Sequence, residues 1–252
     1  PCIDSMVNGF PCERMELMSQ MSNEDLLGTG SNDVWGWADP VTGVEYALVG
    51  EREGLAIVDL SDPLSPFLAA FMATQTSSST WRDMKVYADH VYVVSEANAH
   101  GLQILDLNQL RDLTEYPALL DPTKHVDVFS DAHNVVINED DAMLFAVGTN
   151  LASGGLVAFD ISDPDDPILV GDYAEAGYTH DAHAVIYNGP DEFSAPLTPN
   201  GLTGNISPGV FNSTSFDGSL TFKFFSDQLE VAPGWNATIS CTGTLGGEDA
   251  DF

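Results

Sequence analysis

One short pattern occurs three times in this chain and constrains its fold more than any other feature. Gly54-Leu-Ala-Ile-Val-Asp59, Gly101-Leu-Gln-Ile-Leu-Asp106 and Gly155-Leu-Val-Ala-Phe-Asp160 each run glycine, apolar strand, aspartate. In the first and third copies a proline follows (Pro63, Pro164), with another three residues on (Pro66, Pro167). Aspartate and proline there suit a tight turn, so Asp59, Asp106 and Asp160 read as turn formers and not as catalytic groups. A second set of segments precedes these. Asp33-Val-Trp-Gly-Trp, Asp83-Met-Lys-Val-Tyr, His133-Asn-Val-Val-Ile and His183-Ala-Val-Ile-Tyr start 50 residues apart at each step. Further strands are expected at 45–50, 90–95 and 143–148, and apolar runs at 67–71 and 168–173 complete the unit. Four strands per ~50 residues is the cadence of a propeller blade. The predicted fold is therefore all-β, a propeller-like array of four-stranded blades that bury their faces on one another. Helical periodicity is nearly absent. Its best candidate is 13–27, and 107–113 has room for one more turn.

Charge narrows the function. There are 39 Asp and Glu against 7 Lys and Arg, a net charge of -32. Such a chain repels phosphate backbones and anionic headgroups, which excludes nucleic acid and acidic membranes as partners. No apolar run approaches the ~18 residues of a membrane span. A hydrophobic fraction of 44% with 10% aromatics argues against disorder. The charge calls for screening by salt, divalent cations or association, which suits an extracellular setting. Cys2 and Cys12 bracket a turn-rich loop that a disulfide would close easily; two free thiols are the alternative. Cys241 has no evident mate. Asn205, Asn212 and Asn236 begin glycosylation sequons. The chain opens Pro1-Cys2-Ile3-Asp4, which reads as a mature or trimmed form.

Several longer motifs carry a resemblance. Asn32-Asp-Val-Trp-Gly-Trp-Ala-Asp-Pro40, Ser79-Thr-Trp-Arg-Asp-Met-Lys-Val-Tyr87, Val94-Ser-Glu-Ala97, Asp131-Ala-His-Asn134 and Tyr178-Thr-His-Asp-Ala-His183 occur in order. Over about residues 1–193 the chain resembles the choice-of-anchor B proteins, which are secreted and built of LVIVD repeats. The resemblance implies an exported β-propeller and brings no catalytic activity. It ends near Ser194, after three blades and the first strand of a fourth, so an incomplete ring is expected. The expected divisions are a stapled segment at 1–30, blades at 31–193, linker or loops at 194–218, and a hairpin with an acidic tail at 219–252. That hairpin is similar to the end of a CUB domain. The likeness implies that Asp227 matches a calcium ligand.

Candidate chemistry follows from the spacing. Asp33, Asp83, His133 and His183 would ring one level of a central channel, where two carboxylates and two imidazoles suit a divalent metal. The competing reading has them hydrogen-bonding across the channel mouth. Arg82 reads as half of a buried Arg–Asp pair between blades, or as an anion-binding group. His90, His100 and His125 read as surface or turn residues. Trp35 and Trp37 read as filling between blades, with sugar stacking as the alternative. No phosphate loop, serine elbow or Cys-Xaa-Xaa-Cys pair is present. The expected function is a secreted, non-catalytic binding, adhesion or structural protein. Its expected partners are other protein chains or extracellular glycans, and self-association would give a homo-oligomer or filament. The alternatives are a metal-dependent propeller hydrolase using the Asp/His ring, and a glycoprotein stabilised by Ca2+ or another divalent metal.

Overall fold

The computed structural model describes residues 3, 6–7, 9–13, 16–174 and 177–184. They belong to a compact unit spanning Pro1–Asn188, and a second unit, Gly189–Phe252, lies outside the described residues. Asp227, Cys241, the three sequons and the expected hairpin all fall in that second unit.

Among the described residues the architecture is all-β and propeller-like. A small antiparallel pair, β1 (Met6–Val7) and β2 (Phe10–Pro11), comes first. Blade 1 comprises β3 (Ser31–Ala38), β4 (Glu45–Glu51), β5 (Gly54–Asp59) and β6 (Phe67–Ala73). Blade 2 has β7 (Arg82–Tyr87), β8 (His90–Ser95) and β9 (Leu102–Asp106). A short β10 (Ala118–Leu120) follows in sequence, and β11 (Lys124–Val126) is the fourth strand of blade 2. Blade 3 comprises β12 (Asn134–Asn138), β13 (Met143–Val147), β14 (Leu156–Asp160) and β15 (Ile168–Tyr173). Strand β7 packs against both β3 and β12, so the first strands of the blades converge.

The repeated glycine has a direct physical cause. A Cβ on Gly54 would lie 2.2 Å from the Met72 carbonyl oxygen, one on Gly101 2.4 Å from that of Val126, and one on Gly155 2.1 Å from that of Tyr173. Each contact is made by the fourth strand of the same blade. The third strand of every blade thus starts where a neighbouring backbone leaves no room for a side chain. The repeated aspartate closes the other end of that strand. Asp59 Oδ1 accepts from the Ser61 amide at 2.7 Å, Asp106 Oδ1 from Asn108 at 2.9 Å, and Asp160 Oδ1 from Ser162 at 2.8 Å. These are Asx turns, as the sequence pattern implies.

The blades bury apolar faces on one another. Leu48, Leu55, Ile57 and Met72 of blade 1 meet Met84, Val91, Val93 and Leu105 of blade 2. Tyr92, Val94, Leu102 and Ile104 of blade 2 meet Val135, Leu144, Val157 and Phe159 of blade 3. The turn after β14 adds polar clamps between blades 2 and 3. Tyr92 donates to the Pro164 carbonyl at 3.2 Å, His90 Nε2 lies 3.1 Å from Asp165 Oδ1, and Lys124 Nζ lies 2.7 Å from Asp166 Oδ1.

Two features differ from expectation. No helix forms over the described part of 13–27. The chain instead makes turns at 23–27, where Ser22 and Asp25 cap each other: Ser22 Oγ donates to Asp25 Oδ2 at 2.7 Å, and the Asp25 amide donates back at 3.2 Å. Leu27 at φ 58 ends the turn. Leu17 and Met18 are exposed, and Leu26 alone is buried, against Ala56, Val58, Leu68 and Phe71 on the outer face of blade 1. Leu26 and the half-buried Met21, which packs on the same cluster, are too few apolar contacts to sustain an amphipathic helix. The second feature is an insertion in blade 2. The expected turn is a 3-10 helix, Leu107–Asp112, capped by Asp106. The chain then crosses to blade 1, where β10 pairs in parallel with the outer edge of β6. Arg111 on that crossing grips the buried Asp39 of blade 1 through Nε at 2.9 Å and Nη2 at 2.5 Å. Arg111 thereby holds the Asp39 carboxyl well below the usual carboxylate range.

Cys12 follows β2 and is disulfide-bonded. Cys2 lies outside the described residues, so its pairing with Cys12 stays within the proposal below.

Candidate functional site

The first strands of blades 1 and 2 bring two carboxyl groups together. The Asp33 carboxyl lies on the same recess as that of Asp83 and is among the groups that raise it. Asp83 is 3% exposed. Its Oδ1 accepts from the Met84 amide at 2.8 Å and from Lys85 Nζ at 2.7 Å, and its Oδ2 from the Val135 amide of blade 3 at 2.8 Å. Burial, and then the side-chain interaction with Asp33, push the Asp83 carboxyl up to about 6, while Lys85 and the Val135 amide pull it down. Lys85 Nζ also sits 4.4 Å over the Trp35 ring. These groups open on a recess of about 340 Å³ lined also by Asn134, Asp181 and His183.

The structure thus brings together Asp33 and Asp83, with His183 on the same recess. It does not bring His133 to them. Strand register explains why. Val34 pairs with Val49 and that with Ala56; Met84 pairs with Val93 and that with Gln103; Val135 pairs with Ala146 and that with Val157. Ala56, Gln103 and Val157 each stand two residues after the repeat glycine, so Val34, Met84 and Val135 are equivalent. The residue before each is then Asp33, Asp83 and Asn134. The interval lengthens by one between blades 2 and 3, and one residue turns a side chain to the opposite face of a strand. Asn134, not His133, occupies the third position. His133 points to a different cluster, with Nδ1 2.6 Å from Glu96 Oε1 and Nε2 2.9 Å from His180 Nε2. Among the described residues no group of three or more His, Cys, Asp or Glu is arranged to hold a metal ion.

Trp35 and Trp37 separate. Trp37 is buried, stacks on Tyr46 at 5.4 Å between centroids and donates to Asp89 Oδ1 at 3.0 Å. Trp35 is 40% exposed and lines the recess.

A second polar centre lies between blades 1 and 2, and spacing gave no sign of it. Arg82 is 1% exposed. Its Nε donates to the Glu51 carbonyl at 3.0 Å, Nη2 to Thr74 Oγ1 at 2.8 Å, and Nη1 meets His100 Nε2 at 2.8 Å. The expected Arg–Asp pair is therefore replaced by neutral acceptors. His90 and His100, expected as surface or turn residues, are both buried. Arginine cannot accept a hydrogen bond, so His100 Nε2 carries the lone pair and Nδ1–H donates to the Gly101 carbonyl at 3.0 Å. Burial, then the Arg82 charge, lower His100 to about 4. His125 Nε2 lies 2.7 Å from the His100 carbonyl oxygen, half-buried.

Asp83 and His100 oppose each other in acid. Asp83 has a folded value above its ordinary 3.8, so its stabilising contribution is complete below that and is lost as pH rises through about 6. His100 has a folded value below its ordinary 6.5, so its contribution is present above that and is lost as pH falls toward about 4. Between these limits the two slopes cancel, each at most ~1.4 kcal/mol per pH unit. His100→Gln is expected to gain stability relative to the parent chain as pH drops from 7 to 4.5, and Asp83→Asn to lose it. Urea midpoints at stepped pH check this, and parallel curves for all three proteins would refute both assignments.

Comparison with known proteins agrees with the geometry. The family model of the LVIVD repeat matches residues 41–74 and 151–175. The first stretch holds β4 to β6 of blade 1, and the second holds β14 and β15 of blade 3. No curated protein matches the chain. The chain is therefore similar to the LVIVD repeat over these two stretches, and its described residues form an all-β, propeller-like repeat array.

Proposed function

We propose that the protein is an exported, non-catalytic binding or adhesion module whose blade array docks on another protein surface, with a second copy as the first candidate. One observation carries this reading. Strand β15 stands at the edge of its sheet and exposes Ile168, Leu169, Val170 and Tyr173, with Val170 60% exposed. The fourth strand of blade 1, β6, is by contrast mostly buried and paired along its outer edge by β10. Among the described residues no further strand pairs with β15 beyond β14, and an apolar strand at a sheet edge is an association surface.

Membership of the choice-of-anchor B group, a CUB-like end, the Cys2–Cys12 staple, sequon glycosylation, calcium at Asp227 and glycan partners belong to the same proposal. They draw on the sequence motifs and on the net charge. Among the described residues no helix is long and apolar enough to cross a membrane.

The test is multi-angle light scattering of the full chain over a hundredfold range of concentration. Association that grows with concentration and is lost in Val170→Glu is expected. A monodisperse monomer throughout would overturn the self-association.

A further inference from the structure

His133 and His180 face each other across the end of blade 3. Their Nε2 atoms are 2.9 Å apart, with ring centroids at 4.2 Å and planes inclined by 53°. Both residues are anchored through the backbone. The His133 amide donates to the Val147 carbonyl at 2.9 Å, Asn134 Nδ2 donates to the His180 carbonyl at 3.0 Å, and the Thr179 amide donates to the Gly154 carbonyl at 2.9 Å. The His133 side chain is 13% exposed, between the rings of Trp81 and Tyr178 at 6.1 and 6.4 Å. On its far side Glu96 Oε1 accepts a hydrogen bond from Nδ1–H at 2.6 Å.

We infer that His133 and His180 form a two-imidazole site for a zinc-class divalent cation, with Glu96 as the carboxylate behind the first ligand. Glu96 fixes the tautomer of neutral His133, leaving its Nε2 lone pair directed at His180. A carboxylate on the remote nitrogen is the support that metal-binding histidines recurrently have, because it orients the ring and raises its basicity. Two nitrogens each ~2.0–2.1 Å from a tetrahedral zinc stand ~3.3 Å apart, so the pair needs to open by only ~0.4 Å. Without metal, His180 Nε2–H donates to His133. Binding moves that proton to His180 Nδ1, so two neutral rings present two lone pairs with no net proton change. Water fills the remaining positions, which makes the site open. Nitrogen ligands distinguish it from the carboxylate surface, which takes calcium or magnesium.

The experiment is titration of the chelator-treated full chain with zinc chloride in excess magnesium, followed by calorimetry, with nitrogen coupling of bound copper(II) read by electron paramagnetic resonance. One saturable equivalent with two-nitrogen coupling is expected. His180→Gln, whose side chain lies at the surface, is expected to abolish both signals, and Glu96→Gln to weaken zinc by ~10-fold or more. His133→Gln should match His180→Gln, and if it fails to fold the His180 variant decides alone. Absence of a one-to-one event, or zinc binding unchanged in His180→Gln, would overturn the site.

Discussion

Gly101→Ala should cost the fold about 2–5 kcal/mol. Two penalties coincide at this residue. Its φ is 64, in the left-handed region, where a Cβ costs ~1–2 kcal/mol. Its Cβ would also lie 2.4 Å from the Val126 carbonyl oxygen and 3.0 Å from His125 Nε2. The first of these is backbone of β11 and cannot rotate away, so the sheet must part, at ~1–3 kcal/mol. Two other glycines separate the causes. Gly43 has φ 73 with nothing within 4 Å of a Cβ, and Gly36 meets nothing either. Gly43→Ala should therefore lose only the conformational part, and Gly36→Ala almost nothing. Chemical unfolding of the three variants gives the ranking. Equal losses at Gly101 and Gly43 would show that the close approach of the fourth strand carries no weight.

Arg82→Met should cost about 3 kcal/mol, although the replacement is apolar and of similar length. The guanidinium serves three acceptors, on Glu51, Thr74 and His100. Each buried acceptor left without a donor costs ~1–3 kcal/mol, partly offset by no longer burying a charge. Burial already lowers Arg82 to about 10, which measures how reluctantly the site accepts that charge. The variant has a second signature. The Arg82 charge is one of the two leading causes of the low His100 value, so His100 should titrate higher in Arg82→Met. Histidine proton resonances followed against pH read this directly. A full loss of stability with an unmoved His100 would show a packing role alone.

The blades were legible because their signals are local. Glycine, apolar run and aspartate lie within six residues, and each has its own local or within-blade cause. What the sequence concealed is non-local. Constant spacing selected His133, yet one extra residue before blade 3 puts Asn134 in its place, and only the pairing of β12 with β13 reveals the shift. Strand β10 was missed because three residues carry no period, and its partner β6 lies nearly fifty residues earlier. Arg82 was expected between blades but with the wrong partner, because its acceptors on Glu51, Thr74 and His100 lie on other segments, and His100 read as a surface or turn residue because a lone histidine does not announce burial. The Asp33–Asp83 pair was found because the interval between blades 1 and 2 is regular.

The crossing of β10 to the edge of β6 has a consequence for cooperativity. The segment between β9 and β11 of blade 2 lends a strand to blade 1, and Arg111 within it is tied to Asp39 of blade 1. Blade 1 cannot shed that strand without disturbing the connection that leads into the fourth strand of blade 2. The two blades are therefore expected to open as one unit, with amide exchange in β6 and β11 lost together.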